Sequence, residues 1–368
     1  MGEVGYLTMT SLTERAAETL IADSAFAPAL PGFVGAAVDL LVSRPGLPGS
    51  LTGSLVTERP RLRHGYLTAR SPRIAVVSGP PSPGIDAALD RLTDDLALPQ
   101  PLFDGHGLTV LEQASDTVDP AAPGASPGWA TAGVRVALEA GLDEDGLLGL
   151  RRRWFLAHAL APVLAAAFAN SPLRHGRPTG WRSNRQALRR LPPCTADPRA
   201  DWAARVMDAP VARDSRTFRE WTRSGPGGRP DPADLTRHLR TFRPPVAARR
   251  HLEIDVADRQ PGAGWRIPVA VTAALMDDPI AAARALAATE PLRTIPGLWE
   301  RASRDALTDP ALATAARSCF VAAYEGLTRL GVARELRDAV ATFIERHVMR
   351  GRCPADDVLE RATAPYRH

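Results

Sequence analysis

From Gly149 to Phe168 the chain reads GLRRRWFLAHALAPVLAAAF, with apolar residues near the spacing of one helix face and three arginines at its start. That pattern predicts a core helix, with Pro162 as a point where it could kink. It stops abruptly at Asn170, Ser171 and Pro172, because Asn and Ser bond to nearby backbone and a proline pushes the preceding residue out of the helical region. The stretch then runs on to Trp181, Ser183, Asn184 and Arg185, which supply a stacking surface, hydrogen-bond donors and a planar cationic fork for carboxylate or phosphate. Two readings stand for it: a binding loop at a helix end, or a capped core helix followed by a solvated loop.

Composition removes several kinds of chemistry. The 368 residues include no lysine, so all 45 basic side chains are arginine and no Schiff base or P-loop lysine exists. A formal net charge of +4, with arginines interleaved among 41 acidic residues, leaves no concentrated basic stripe, so nucleic-acid binding is not expected. Cys194, Cys319 and Cys353 are odd in number and lack CxxC spacing, which argues against a disulfide framework and a thiolate metal site. The first twenty residues do not resemble a signal peptide, and no apolar run reaches membrane-spanning length. A soluble protein of the reducing cytoplasm is the expectation.

Along the chain, a capped helix is expected over Thr10 to Ile21. Strands are expected over Phe33 to Val42, Arg73 to Ser78, Leu108 to Glu112, Thr131 to Leu138 and His251 to Val256. Gly84 to Leu96 reads as a helix, and Ala121 to Gly128 as a small-residue loop. Beyond residue 195 the pattern is helical: Pro198 to Met207, Pro232 to Thr241, Trp265 to Ala288, Pro296 to Leu307, Pro310 to Leu330 and Ala333 to Met349. Several of these open on a proline at the first helical turn. Strands early and helices late predict an α+β fold, an antiparallel or mixed sheet covered by helices. The organisation expected is a helical lead-in over 1–30, then one domain over 31–368 with strands mainly in 31–140 and 251–256 and helices mainly in 143–170 and 198–362.

Other motifs carry less. Arg213 to Arg229, with SGPGG at Ser224 to Gly228, lacks P-loop spacing and reads as a surface loop. His106, His158, His175, His238 and His251 show no paired metal spacing, and a GxSxG elbow is absent.

HLEIDVADRQPGAGWRIPVAVTAALMDDP, from His251 to Pro279, changes the reading when set beside FANSP and GWRSNR. Together they resemble the glutamate–cysteine ligases of the carboxylate–amine ligase type, in particular the actinobacterial ergothioneine-pathway branch. LTDPAL at 307–312 and RGRCPAD at 350–356 extend the likeness, which covers the chain from about residue 30 onward. The resemblance implies a glutamine-synthetase-like fold with a cleft-lining sheet. It also implies ATP-dependent joining of the γ-carboxyl of glutamate to the amine of cysteine, with ATP and Mg2+ as cofactors. Arg185 is then the candidate catalytic and carboxylate-anchoring residue, with Asn170 and Ser171 orienting substrate unless they only cap the helix. Glu253, with Asp39 as a second carboxylate, is the candidate metal ligand.

The chain departs from that family where metal chemistry is expected. Gly35-Ala36-Ala37-Val38-Asp39 keeps one carboxylate of a G-x-E-x-E pattern, and Arg70 and Val76 stand where the resemblance expects glutamates. Gly133 to Ala137 replaces a polar strand, and Asp255 stands in place of an arginine, so an Asp255 ion pair with Arg185 or Arg135 is a structural alternative. Asp277 and Asp278 read as a helix end. Two functions follow from different classes: a working ligase, or a degenerate homologue that keeps the fold for binding or regulation.

Overall fold

Val34, Ala36, Val38, Leu40 and Val42 fall on one face of the strand Phe33–Ser43 (β1), because successive side chains alternate across a strand, and all five enter the main apolar core. Gly35, Ala37, Asp39 and Leu41 take the other face. A computed structural model describes residues 11–43, 61–71, 73–105, 107–115, 130–144, 146, 148–212, 215–224 and 228–363. His106, Thr10 and the Ala121–Gly128 run lie outside them.

The strands after β1 are Tyr66–Ser71 (β2), Ile74–Ser78 (β3), Ser82–Pro83 (β4), Thr109–Leu111 (β5), Gly133–Leu138 (β6), Leu173–Arg174 (β7), Arg177–Pro178 (β8), Val246–Ala248 (β9) and Leu252–Asp258 (β10). One sheet runs β2-β3-β1-β6-β10-β9, with β4 and β5 pairing with opposite ends of β1, while β7 and β8 form a separate ladder. Every strand pairing among the described residues is antiparallel, which settles the choice between an antiparallel and a mixed sheet.

The core face of the sheet is covered by helices. Leu150–Ala167 packs on β10, Arg266–Asp277 on β6 and Gly84–Ala97 on β1. Leu150–Ala167 is buried almost all round, as its composition demands, and it continues through Pro162. Its buried Arg153 is satisfied by the Met276 carbonyl at 2.5 Å, Asp277 at 2.7 Å and the Glu139 carbonyl at 3.1 Å. Pro279–Thr289, Pro310–Arg329 and Arg334–Arg346 complete the helical layer. At the N-terminus, Glu14–Ala25 buries Ala17, Ile21 and Ala25 and packs on Pro198–Met207.

Several expected elements differ for identifiable reasons. The helix expected over Trp265 to Ala288 is two, Arg266–Asp277 and Pro279–Thr289, because Pro279 holds Asp278 extended at ψ 117°. Asp278 then caps the second helix by accepting from the Ala281 N–H at 2.7 Å. The first helix starts at Glu14 behind the capping Thr13, and runs on to Ala25. Within the expected loop Arg213 to Arg229 lies a short helix, Phe218–Thr222, held by a capping box between Thr217 and Glu220. Arg70 and Val76 lie on neighbouring strands: β2, outside the expected strand Arg73 to Ser78, forms a hairpin with β3 in which Thr68 faces Val76.

Candidate active site

The sheet face turned away from the main core carries the charge. Asp39 on β1 sits opposite Val76 of β3 and is fully buried. Its Oδ2 accepts from the Gly133 N–H at 2.9 Å and lies 2.8 Å from Arg70 Nη2, while Oδ1 faces Arg135 Nη1 at 3.8 Å. Arg70 also donates to the Thr131 carbonyl at 2.7 Å, which ties the tip of β2 across to the start of β6.

The loop after the apolar helix meets this face through β10. Asp258, fully buried at the end of β10, accepts from the Asn170 N–H at 2.8 Å, the Ser171 hydroxyl at 2.7 Å and the Ser183 hydroxyl at 3.1 Å. Burial pushes the Asp258 carboxyl above its ordinary range, against the opposing pull of Arg185 and those three donors. Asn170 Nδ2 donates to the Arg259 carbonyl at 2.7 Å, and Asn184 Nδ2 to the Ser171 carbonyl at 2.7 Å. FANSP, GWRSNR and HLEIDVADRQ are thus one structural unit. RGRCPAD joins it, since the Ala355 N–H donates to Ala169 O at 2.9 Å and Arg182 Nε to Asp356 at 3.1 Å.

Arg185, expected as an anchor at a loop, is the second residue of the turn Asn184–Ala187 that Ser183 caps, and only 2% of it is exposed. Its Nη2 donates to Asp255 Oδ1 and its Nη1 to the Ala257 carbonyl at 3.3 Å. Arg189 takes the other Asp255 oxygen at 2.8 Å and the Asp255 carbonyl at 2.5 Å. Burial works to raise the Asp255 carboxyl, but Arg185, Arg189, Arg135 and Arg70 outweigh it and hold the group well below the usual carboxylate range. Gly133 makes this arrangement fit. A β-carbon there would come within 2.3 Å of Arg185 Cζ.

The expected metal pair is corrected by the register. Gly35, Ala137 and Glu253 form one row across β1, β6 and β10, whereas Asp39 lies four residues further along β1. At about 3.3 Å per residue that offset alone is roughly 13 Å, too far for one ion to reach both carboxylates. Glu253 instead lies 3.8 Å from both Arg243 and Arg249. No group of three or more Asp, Glu, His or Cys able to hold a metal occurs among the described residues. The side chains around Asp39 and Asp255 are guanidiniums rather than further oxygen ligands, so this face does not fit Mg2+. Asp277 and Asp278 serve Arg153 and Arg329, as their reading as a helix end expects.

Arg189, Asp258 and Arg259 were not singled out in the sequence. Asp258 and Arg259 lie within HLEIDVADRQ, where a register shift between Ile254 and Ala257 lets Asp255 and Asp258 both turn toward Arg185; Arg189 lies just past GWRSNR. Arg259 reaches the Asp39 carbonyl at 3.5 Å and the Leu111 carbonyl at 3.3 Å.

The chain is 34% identical over 357 residues to the glutamate–cysteine ligase EgtA of Mycolicibacterium smegmatis, covering 84% of this chain and 81% of that one. It is also 34% identical to EgtA of Mycobacterium tuberculosis over 336 residues, 78% of this chain and 75% of the other. Among solved structures, the glutamate–cysteine ligase of Francisella tularensis in complex with AMP superposes with a TM-score of 0.51 at 12% identity, covering 91% of this chain and 85% of that one. A bifunctional glutathione synthetase from Pasteurella multocida gives 0.52 at 11% identity; it covers 95% of this chain, which spans about half (51%) of that longer protein. These two likenesses establish the carboxylate–amine ligase fold. The profile of glutamate–cysteine ligase family 2 matches residues 124–367, which hold the Asp258 junction, Arg185 and the docked RGRCPAD motif, and the chain belongs to that family.

Proposed function

We propose that the protein is an ATP-dependent ligase that joins the γ-carboxyl of glutamate to the amine of cysteine, as in ergothioneine biosynthesis, and that it works in the cytoplasm. The carrying observation is the likeness to ligases of that name over most of the chain, with FANSP, GWRSNR and HLEIDVADRQ of this chain meeting at one face of the sheet. A carboxylate is a poor acyl donor. Its oxygen must first take the γ-phosphoryl group of ATP, releasing ADP; the amine nitrogen then attacks the acyl carbon, phosphate departs and the amine proton goes to solvent. In this reading Arg185, with Arg70 and Arg135 beside it, holds anionic oxygens of the reactants. Asn170 and Ser171 fix the β10 end through Asp258. The three cysteines are free thiols, which fits a reducing compartment.

The experiment is incubation of the full chain with glutamate, cysteine, ATP and magnesium, followed by mass-spectrometric detection of γ-glutamylcysteine and assay of ADP. Product above an Arg185→Ala control supports the reading, and none above it rejects the reading. One observation favours a second reading, a ligase fold kept for ligand binding or regulation: Asp39 and Asp255 are already paired with arginines. In that case ligand binds without ADP release.

A further inference from the structure

Four guanidiniums, Arg70, Arg135, Arg185 and Arg189, gather on the sheet face away from the main core around two carboxylates, Asp39 and Asp255. None is a solvated surface charge: the two aspartate side chains are 1% exposed, that of Arg185 1%, Arg135 9%, Arg189 14% and Arg70 20%. The cluster therefore holds an excess of two positive charges in a poorly hydrated space. Among the described residues, nearby acids do not remove the excess. Glu253 is shared between Arg243 and Arg249, and Asp258, which Arg185 also attracts, is occupied by three donors, while Arg259 brings a further positive charge to Asp39.

A divalent cation needs several negative oxygens converging on it. Here each carboxylate oxygen already faces a guanidinium: Asp39 Oδ2 faces Arg70 and Oδ1 faces Arg135, while the Asp255 oxygens face Arg185 and Arg189. An ion approaching either aspartate meets more positive charge than negative. An oxyanion meets the reverse, and a planar guanidinium offers it paired donors. Arg185 Nε and Asp39 Oδ1 are both buried without a hydrogen-bond partner, so one donor and one acceptor of the cluster are unused, and the donor lies among the excess positive charge.

We infer that this face takes a carboxylate or phosphate group directly on its arginines and does so without a divalent cation, the arginines supplying the charge neutralisation that a metal would otherwise give. The inference goes beyond the ligase reading, because it concerns binding and stands whether or not the chain turns over.

Calorimetric titration of the full chain with ATP, inorganic phosphate and L-glutamate, each once in excess EDTA and once in magnesium, tests it. At least one of the three is expected to bind in EDTA with an affinity within about twofold of that in magnesium, and Arg70→Gln is expected to weaken it roughly tenfold. Glutamate binding alone identifies the site as one for carboxylates; phosphate or ATP binding identifies it as one for phosphoryl groups. Ligand-induced thermal stabilisation of the unmutated chain in EDTA gives the same answer should the variant fail to fold. Binding that appears only with magnesium, binding of none of the three, or stoichiometric binding of Mn2+ alone would overturn the inference. The dipeptide assay is separate, so a chain that binds in EDTA yet makes no product defeats the ligase reading and leaves this one standing.

Discussion

The guanidinium of Arg185 lies over the bare backbone of Gly133 while it donates to Asp255, so a side chain at position 133 and this ion pair compete for one space. The glycine is there for clearance. Gly133→Ala is expected to displace Arg185 and destabilise the protein by about 1–3 kcal/mol, the usual cost of overpacking. Urea denaturation measures the loss, and calorimetry with the cluster's anion shows weakened binding.

Asp255 neutralises two arginines at once. Asp255→Asn keeps the shape and removes the charge, leaving Arg185 and Arg189 buried and uncompensated, at an expected cost of about 3–5 kcal/mol. Because the variant has a larger positive excess, added phosphate should raise its melting temperature more than that of the parent. Equal shifts would show that Asp255 does not govern the charge of the cluster.

Asp258 joins the loop after the apolar helix to the sheet. Asp258→Ala strands the Asn170 N–H and the Ser171 and Ser183 hydroxyls in a buried place, and should cost at least about 2 kcal/mol in chemical denaturation. Ser183→Ala removes one of the three and should cost about 1 kcal/mol. It also removes the cap of the turn that carries Arg185, so anion binding should weaken alongside.

His158 makes stability depend on pH. Its Nδ1 lies 2.9 Å from the Trp154 carbonyl, and burial, reinforced by Arg205, lowers its pKa to about 3. The fold holds the neutral ring, so the associated stability is complete above the ordinary value of 6.5 and is lost as pH falls from there toward 3. Unfolding free energy should drop by about 1.4 kcal/mol per pH unit on this account within that window. His158→Asn should show a shallower pH slope between neutral and mildly acidic buffer, whatever its absolute stability.

Much of the scaffold could be read directly. Phe33–Ser43 and Leu150–Ala167 are long and apolar enough that only burial suits them, and Asp-Pro pairs at 197–198, 231–232 and 309–310 mark helix starts by capping and by the ring of proline. Tyr66–Ser71 escaped notice because an edge strand needs little apolar content, and Val246–Ala248 because three residues are too short to show an alternating pattern. The site was half legible. Local chemistry pointed to Arg185 and its pairing with Asp255, but that Asp258 turns toward Arg185 as well depends on a β-bulge near Asp255, and bulges follow from pairing across strands. The distance between Asp39 and Glu253 likewise follows from register, which neither residue's neighbours encode.

The central claim is that this ligase fold carries an arginine-compensated face where a metal centre would otherwise be expected. Crystals grown with ATP and manganese, with diffraction data collected at the manganese absorption edge, test it most directly. The account predicts an anionic group of the ligand against Arg70, Arg135 or Arg185 and no anomalous peak within coordination distance of Asp39, Asp255 or Glu253; a manganese ion ligated by any of those three carboxylates would contradict it.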